Sequence, residues 1–231
     1  MPTLLHLDSS ADARTSRSRA IGRTFADAWA AADPANTVVY RDLHAEPLPH
    51  LADASLHWPP RLRPAGAQPP AEAERLQREI IDELLAADVL LIGAPLYNYS
   101  LPSTLKAWVD NVHVPGVLAP ADQPTQPLAG RPAVIVSPRG GSYDPGSPTE
   151  GWDHAVPVLE IVLGTALGMT LHVITASLTL AEHLPALADK VDRSRAELAA
   201  AHDEAAALAL TLSSAASSHA ADEEEPHHRR T

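Results

Sequence analysis

Five short apolar segments recur along this chain, and between them the apolar residues fall every third or fourth position instead of side by side. Four are strong: Leu4–Leu7 (LLHL), Asp88–Gly93 (DVLLIG), Ala133–Ser137 (AVIVS) and Leu171–Thr175 (LHVIT). A weaker one is Thr37–Leu43 (TVVYRDL). Each is strand length, mostly unalternated and rich in Val, Ile and Leu, the pattern of strands buried on both faces of a parallel sheet. The intervening segments read as helices. Ile21, Phe25 and Trp29 follow the potential caps Ser16 and Ser18, and Leu76, Ile80, Leu84 and Leu85 precede the third strand. Leu105, Trp108, Val109 and Val112 form a third pattern, Val158, Leu159, Val162 and Ala166 a fourth, and residues from Leu184 to Leu212 a long last one. Strands alternating with helices imply right-handed βαβ crossovers. The predicted fold is an α/β domain: a doubly wound five-stranded parallel sheet of order 2-1-3-4-5 with helices on both faces.

Two proline-rich stretches, 44–70 and 115–132, interrupt this order and read as long connections. The catalytic domain is expected to span residues 1–212. From Ser213 the sequence turns small, polar and charged, which predicts a disordered tail over 213–231. Aromatics are only 4% of the chain, so aliphatic side chains must fill the core. A net charge of −12 argues against nucleic acid and anionic membranes as partners. No cysteine is present, which excludes thiol catalysis and suits a reducing compartment. The start of the chain carries no signal-peptide pattern and no run reaches spanning length, so a cytoplasmic location is expected.

In a doubly wound sheet, ligands sit beyond the carboxyl ends of the strands, and three polar loops follow three of the strands. The first, SSADARTSRS, offers Ser9, Ser10, Thr15, Ser16 and Ser18 with Arg14 and Arg17 just before a helix. Hydroxyls and free N–H groups at a helix N-terminus favour an anion. The loop lacks GxGxxG and the P-loop pattern, so a monophosphate suits it better than a pyrophosphate; Ser16 and Ser18 also read as plain caps. The second, APLYNYSLPS, places two of the chain's four tyrosines beside Asn98. It can offer backbone N–H groups and aromatic faces to a flat ring, or fold as an ordinary polar turn. The third, SPRGGSYDPG, has Gly140 and Gly141, which permit close backbone approach or a simple turn. Phosphate chemistry, a ring platform and a close-approach turn at one edge are together what a flavin mononucleotide needs.

At these loops the sequence resembles the FMN-dependent NADH-azoreductase family, within the flavodoxin-like NAD(P)H:quinone reductases. PLYNYSLPSTLKAWVDNV is the specific part; SSxxxxxSRS and PRGG match in order and spacing. The resemblance implies FMN as cofactor and NADH or NADPH as electron donor. It implies that Ser10, Ser16, Arg17 and Ser18 cradle the phosphate, and that Leu96, Tyr97, Asn98 and Tyr99 hold the isoalloxazine. Arg139, Gly140 and Gly141 would approach its pyrimidine edge. It also implies two-electron reduction of a quinone, azo or nitro acceptor by a homodimer whose sites are completed by the partner. Apolar loop residues Trp58, Val114, Val117 and Leu118, without an evident place in a sheet core, are the sequence's own candidates for that contact. Two departures stand out. Pro138 replaces the family's usual Ser before Arg-Gly-Gly, and GVLAPADQP and IVLGTALG lack the aromatics that often cover the flavin, which implies an open substrate face.

No side chain need act as a nucleophile, because the flavin carries the chemistry; water or Tyr99 is the candidate proton donor. The twelve histidines are scattered and form no metal motif, so no metal is expected. Ser10 lacks a GxSxG context, which makes a hydrolase a weak reading. The rival from another class is an FMN-binding electron carrier or regulatory module without turnover.

Overall fold

A computed structural model describes residues 1–224, with side chains to 218. Its strands are β1 (Thr3–Asp8), β2 (Thr37–Asp42), β3 (Val89–Gly93), β4 (Pro132–Pro138) and β5 (Thr170–Ala176). They form one parallel sheet in the order β2-β1-β3-β4-β5, as the alternation of periods requires. The central β1, β3 and β4 are buried almost throughout, whereas the edge strands β2 and β5 are half open. Helix α1 (Arg17–Ala32) and α5 (Val191–Glu224) cover one face, and α2 (Ala71–Ala86) and α3 (Ser103–Val112) cover the other. On that second face lies also α4 (Val156–Leu159), which continues as a π-helical segment, Glu160–Ala166. There Leu167 N–H reaches back five residues to the Val162 carbonyl at 3.0 Å. The widened turn brings Leu159, Leu163 and Leu167, each four apart, onto the buried face.

The proline-rich connections contain two short 3₁₀ turns, Ala54–His57 and Pro60–Leu62, and otherwise run irregularly. Val114 and Leu118 are buried in the core of their own chain, so of the four apolar loop residues only Trp58 stands open, at 41% exposure. The last helix does not stop at 212. Ser213 is buried, and its hydroxyl accepts a bond from Asn36 Nδ2 at 2.7 Å, because this helix packs along α1. The helix therefore runs past the edge expected at 212. Residues 225–231 of the expected tail lie outside the described residues. Among the described residues no helix is long and apolar enough to cross a membrane.

Candidate functional site

The loops after β1, β3 and β4 do converge at the carboxyl edge. With a fourth, after β5, they enclose a cleft of about 420 Å³, within the usual range for a small-molecule site. Ser10, Ser16, Arg17, Leu96, Tyr97 and Gly140, all singled out in the sequence, line it. One end is polar, with Ser10, Asp12, Thr15, Ser16 and Arg17. The walls beyond are Pro95, Leu96, the Tyr97 ring, Pro138 and Leu180.

The polar end is built by local bonding. Asp12 Oδ1 accepts from the backbone N–H groups of Arg14 and Thr15 at 2.8 and 2.9 Å, and Thr15 Oγ1 donates to Oδ2. These bonds, Thr15's hydroxyl first, hold the Asp12 carboxyl down at about 2. Ser16 is the N-cap of α1, its hydroxyl accepting from Arg19 N–H at 3.3 Å. Below, Ser9 Oγ donates to the Gly93 carbonyl at 2.6 Å, tying the loop to β3. Tyr97 joins the two principal loops: its hydroxyl lies 3.0 Å from Ser10 Oγ and accepts from Ala11 N–H at 3.1 Å. Its phenol therefore braces the polar end as well as walling the cleft.

Residues Tyr97–Ser100 form a tight turn closed by reciprocal backbone bonds of 3.0 Å, with Asn98 and Tyr99 both left-handed at φ 47° and 69°. Two positive φ values define the primed turn. In an aromatic residue that conformation is uncommon and strained. The turn sends Asn98 and Tyr99 outward, so neither side chain lines the cleft. Tyr99 instead meets Trp152 edge to face, ring centroids 5.4 Å apart, and its carbonyl accepts from His154 N–H at 2.9 Å.

Three further residues expected at the site do not line the cleft. Ser18 is fully buried behind the loop, its hydroxyl 3.0 Å from that of Ser16. The Arg139 guanidinium points to Asp153, 2.8 Å away and largely buried. Gly141 does not line the cleft; its carbonyl accepts from Leu178 N–H at 3.0 Å. Gly140 does line it, and its missing Cβ matters, since one there would lie 2.8 Å from Leu180 Cδ1.

The sequence reading missed the fourth loop. Thr179, Leu180 and His183 line the cleft. Thr179 N–H donates to the Arg139 carbonyl at 3.0 Å, and Ser194 Oγ to the Leu178 carbonyl at 2.9 Å. The signal was available: ASLTLAEH follows the fifth strand at the same edge as the other three loops. Trp152 was missed for a different reason. It comes from residues 142–154, between the two segments in which the resemblance places covering aromatics and within neither. Nearby, burial, with the Tyr99 and Asp153 charges adding to it, pushes the Tyr143 phenol up. Among the described residues no three His, Asp or Glu side chains gather as a metal site.

A cleft walled by the loops that follow β1, β3, β4 and β5 marks a doubly wound α/β protein with its ligand site at the reversal of strand order. The chain belongs to the family described as having a flavodoxin-like fold, whose model matches residues 2–206. It is 60% identical to an FMN-dependent NADH:quinone oxidoreductase of Kineococcus radiotolerans, over 92% of this chain and all of that one. It is 44% identical to a protein of the same name from Streptomyces avermitilis, over 92% of this chain and 98% of that one. Among solved structures, the azoreductase from Bacillus anthracis str. Sterne superposes with a TM-score of 0.76 at 21% identity, over 91% of this chain and all of that one, a likeness of fold.

Proposed function

We propose that this protein is an FMN-dependent NADH:quinone oxidoreductase, moving two electrons from a reduced nicotinamide to quinones and, through the same opening, to azo or nitro compounds. The observation that carries the reading is the divided cleft: hydroxyls, Arg17 and a helix N-terminus at one end, apolar and aromatic walls at the other. The relatives' shared name supports it. The donor set fits FMN. Ser10, Thr15, Ser16 and Arg17 suit a single phosphate, Leu96, Tyr97 and Leu180 suit a flat ring, and the Cβ-free Gly140 lets Leu180 pack close to the backbone there. When bound, FMN supplies the hydride-accepting and hydride-donating chemistry. The chain's own work is to hold the phosphate, cover one ring face with the 95–97 wall and leave the other open. Donor and acceptor must then use that open side in turn.

The test is initial rates over a grid of NADH and benzoquinone concentrations with FMN-loaded protein. Parallel double-reciprocal lines are expected. Intersecting lines refute the shared side, and absence of NADH oxidation leaves an electron carrier. A cytoplasmic homodimer completes the reading. Its support is an apolar face between α3 and α4, where Leu101, Pro157, Val158 and Ile161 border a hollow and Ile161 is 62% exposed. Light scattering at micromolar concentration should give twice the chain mass, and a monomer with full turnover removes the partner from the site.

A further inference from the structure

Behind the polar end of the cleft lies a charged cluster that the proposed chemistry does not use. Arg19, on the first turn of α1, forks onto Asp42 of β2, with Nη1 donating to Oδ2 at 2.7 Å and Nη2 to Oδ1 at 2.9 Å. The same Nη2 donates to the Ser10 carbonyl at 2.8 Å, and Nη1 to the Tyr40 hydroxyl at 3.1 Å. Tyr40 in turn donates to Asp8 Oδ2 at 3.0 Å, and Asp8 lies 3.5 Å from Arg19 Nη1. Asp42 Oδ1 also accepts from His44 and Ala45 N–H, fixing the chain as it leaves β2. The Arg19 side chain is 11% exposed and does not line the cleft.

We infer that Arg19 is a positioning residue for the phosphate end of the cofactor, acting through the Ser10 carbonyl and not by touching the phosphate. Three observations lead there. Arg19 reaches the Ser10 backbone, while the cleft is lined by the Ser10 residue it fixes and not by Arg19. Its charge is matched by Asp42, which Arg19 itself holds down at about 2, so the pair presents no net positive charge to an anion. The fork is bidentate to a carboxylate and also donates to the Ser10 carbonyl, a set of bonds that guanidinium offers and ammonium does not. Asp8 completes the cluster, and Gly93 allows it room: a Cβ at 93 would lie 2.6 Å from Asp8 Oδ1.

The inference rests on FMN being the ligand, and the test separates the two. FMN and riboflavin affinities are measured by quenching of flavin fluorescence for the wild type, Arg19→Lys, Arg19→Met and Tyr40→Phe, with melting curves to verify folding. Riboflavin lacks the phosphate. Arg19→Lys and Arg19→Met should both lose FMN affinity, about tenfold or more for a lost charge-assisted bond, with riboflavin affinity unchanged. Tyr40→Phe, on a half-exposed edge strand, should fold normally and lose severalfold, again for FMN alone. If Arg19→Lys binds FMN like the wild type, charge and not the fork matters, and the inference fails. Equal losses for FMN and riboflavin also overturn it, by showing a general structural effect. Should Arg19→Met not fold, Arg19→Lys and Tyr40→Phe decide. A wild type that binds no FMN overturns the proposed function instead.

Discussion

The polar end of the cleft and the turn after β3 are built on opposite terms. At the polar end, residues 9–19 are tied to β3, to Tyr97, to β2 through Arg19 and to themselves through Asp12. Outside the cleft lining, Tyr99 and Trp152 are each about half exposed and meet edge to face at a strained turn. A loop bonded in the first way is fixed before any ligand arrives, which lowers the ordering cost of binding. The aromatic pair rests instead on a ring contact in the open.

The largest expected effect comes from reversing the charge preference of the fixed end. Ser16→Asp keeps a good N-cap, so the melting temperature should hold, yet it sets a carboxylate among the phosphate-facing hydroxyls. Repulsion at that range is worth about 3 kcal/mol, on the order of a hundredfold in FMN affinity. Titration of apoprotein checks it, and an unchanged affinity means that the phosphate does not sit there.

Acid should loosen the fixed end by a smaller amount. Arg19 holds Asp42 at about 2, below the ordinary 3.8. The folded state therefore takes up this proton less readily than the unfolded chain, and the stabilisation is present above about pH 4 and lost as pH falls towards 2. About 1–2 kcal/mol of stability is at stake. Urea midpoints of apoprotein between pH 5 and 2.5 should fall more steeply for the wild type than for Asp42→Asn, and parallel curves would leave the ion pair without a role.

The smallest effect belongs to the Tyr99–Trp152 pair. Trp152→Ala removes one edge-to-face pair, worth about 0.5–1.5 kcal/mol beyond its area, from an exposed position. FMN affinity should change less than threefold, whereas the KM for a naphthoquinone should shift more than that for benzoquinone. A loss of FMN affinity matching that of Ser16→Asp would erase the distinction between the two regions.

The sheet order could be read in the sequence because it follows from unalternated apolar runs spaced by helical ones, and each of the five runs became a strand. The placement of the three loops followed from the same topology. Individual side chains were harder, since a loop motif names residues without saying which way they point. Ser18 and Arg139 turned inward to Ser16 and Asp153, and two left-handed residues sent Asn98 and Tyr99 outward. The partners that decided these directions lie far along the chain or, for Ser18, on the same buried helix turn. Arg19 escaped notice because its partners, Ser10, Tyr40 and Asp42, are brought together only by the pairing of β1 with β2. The helix end was misjudged because the small residues from Ser213 onward look like a polar coil in composition, whereas Ser213 and Ala216 pack close against α1.

That packing also sets an order of events during synthesis. Ile21, Phe25 and Trp29 of α1 share one buried cluster with Ala201, Ala205, Ala209 and Leu212, and Thr24 Oγ1 lies 2.7 Å from His202 Nδ1 across 178 positions of sequence. The helix that follows the polar loop after β1 is thus among the first made and is sealed by the last. A nascent chain holding every cleft residue through His183 still leaves the outer face of α1 open to water. Loop closure over so long a span is slow compared with local helix formation. The packing behind the cleft is therefore completed only after the final helix leaves the ribosome, so until then the growing chain carries an exposed apolar stripe that chaperones can recognise.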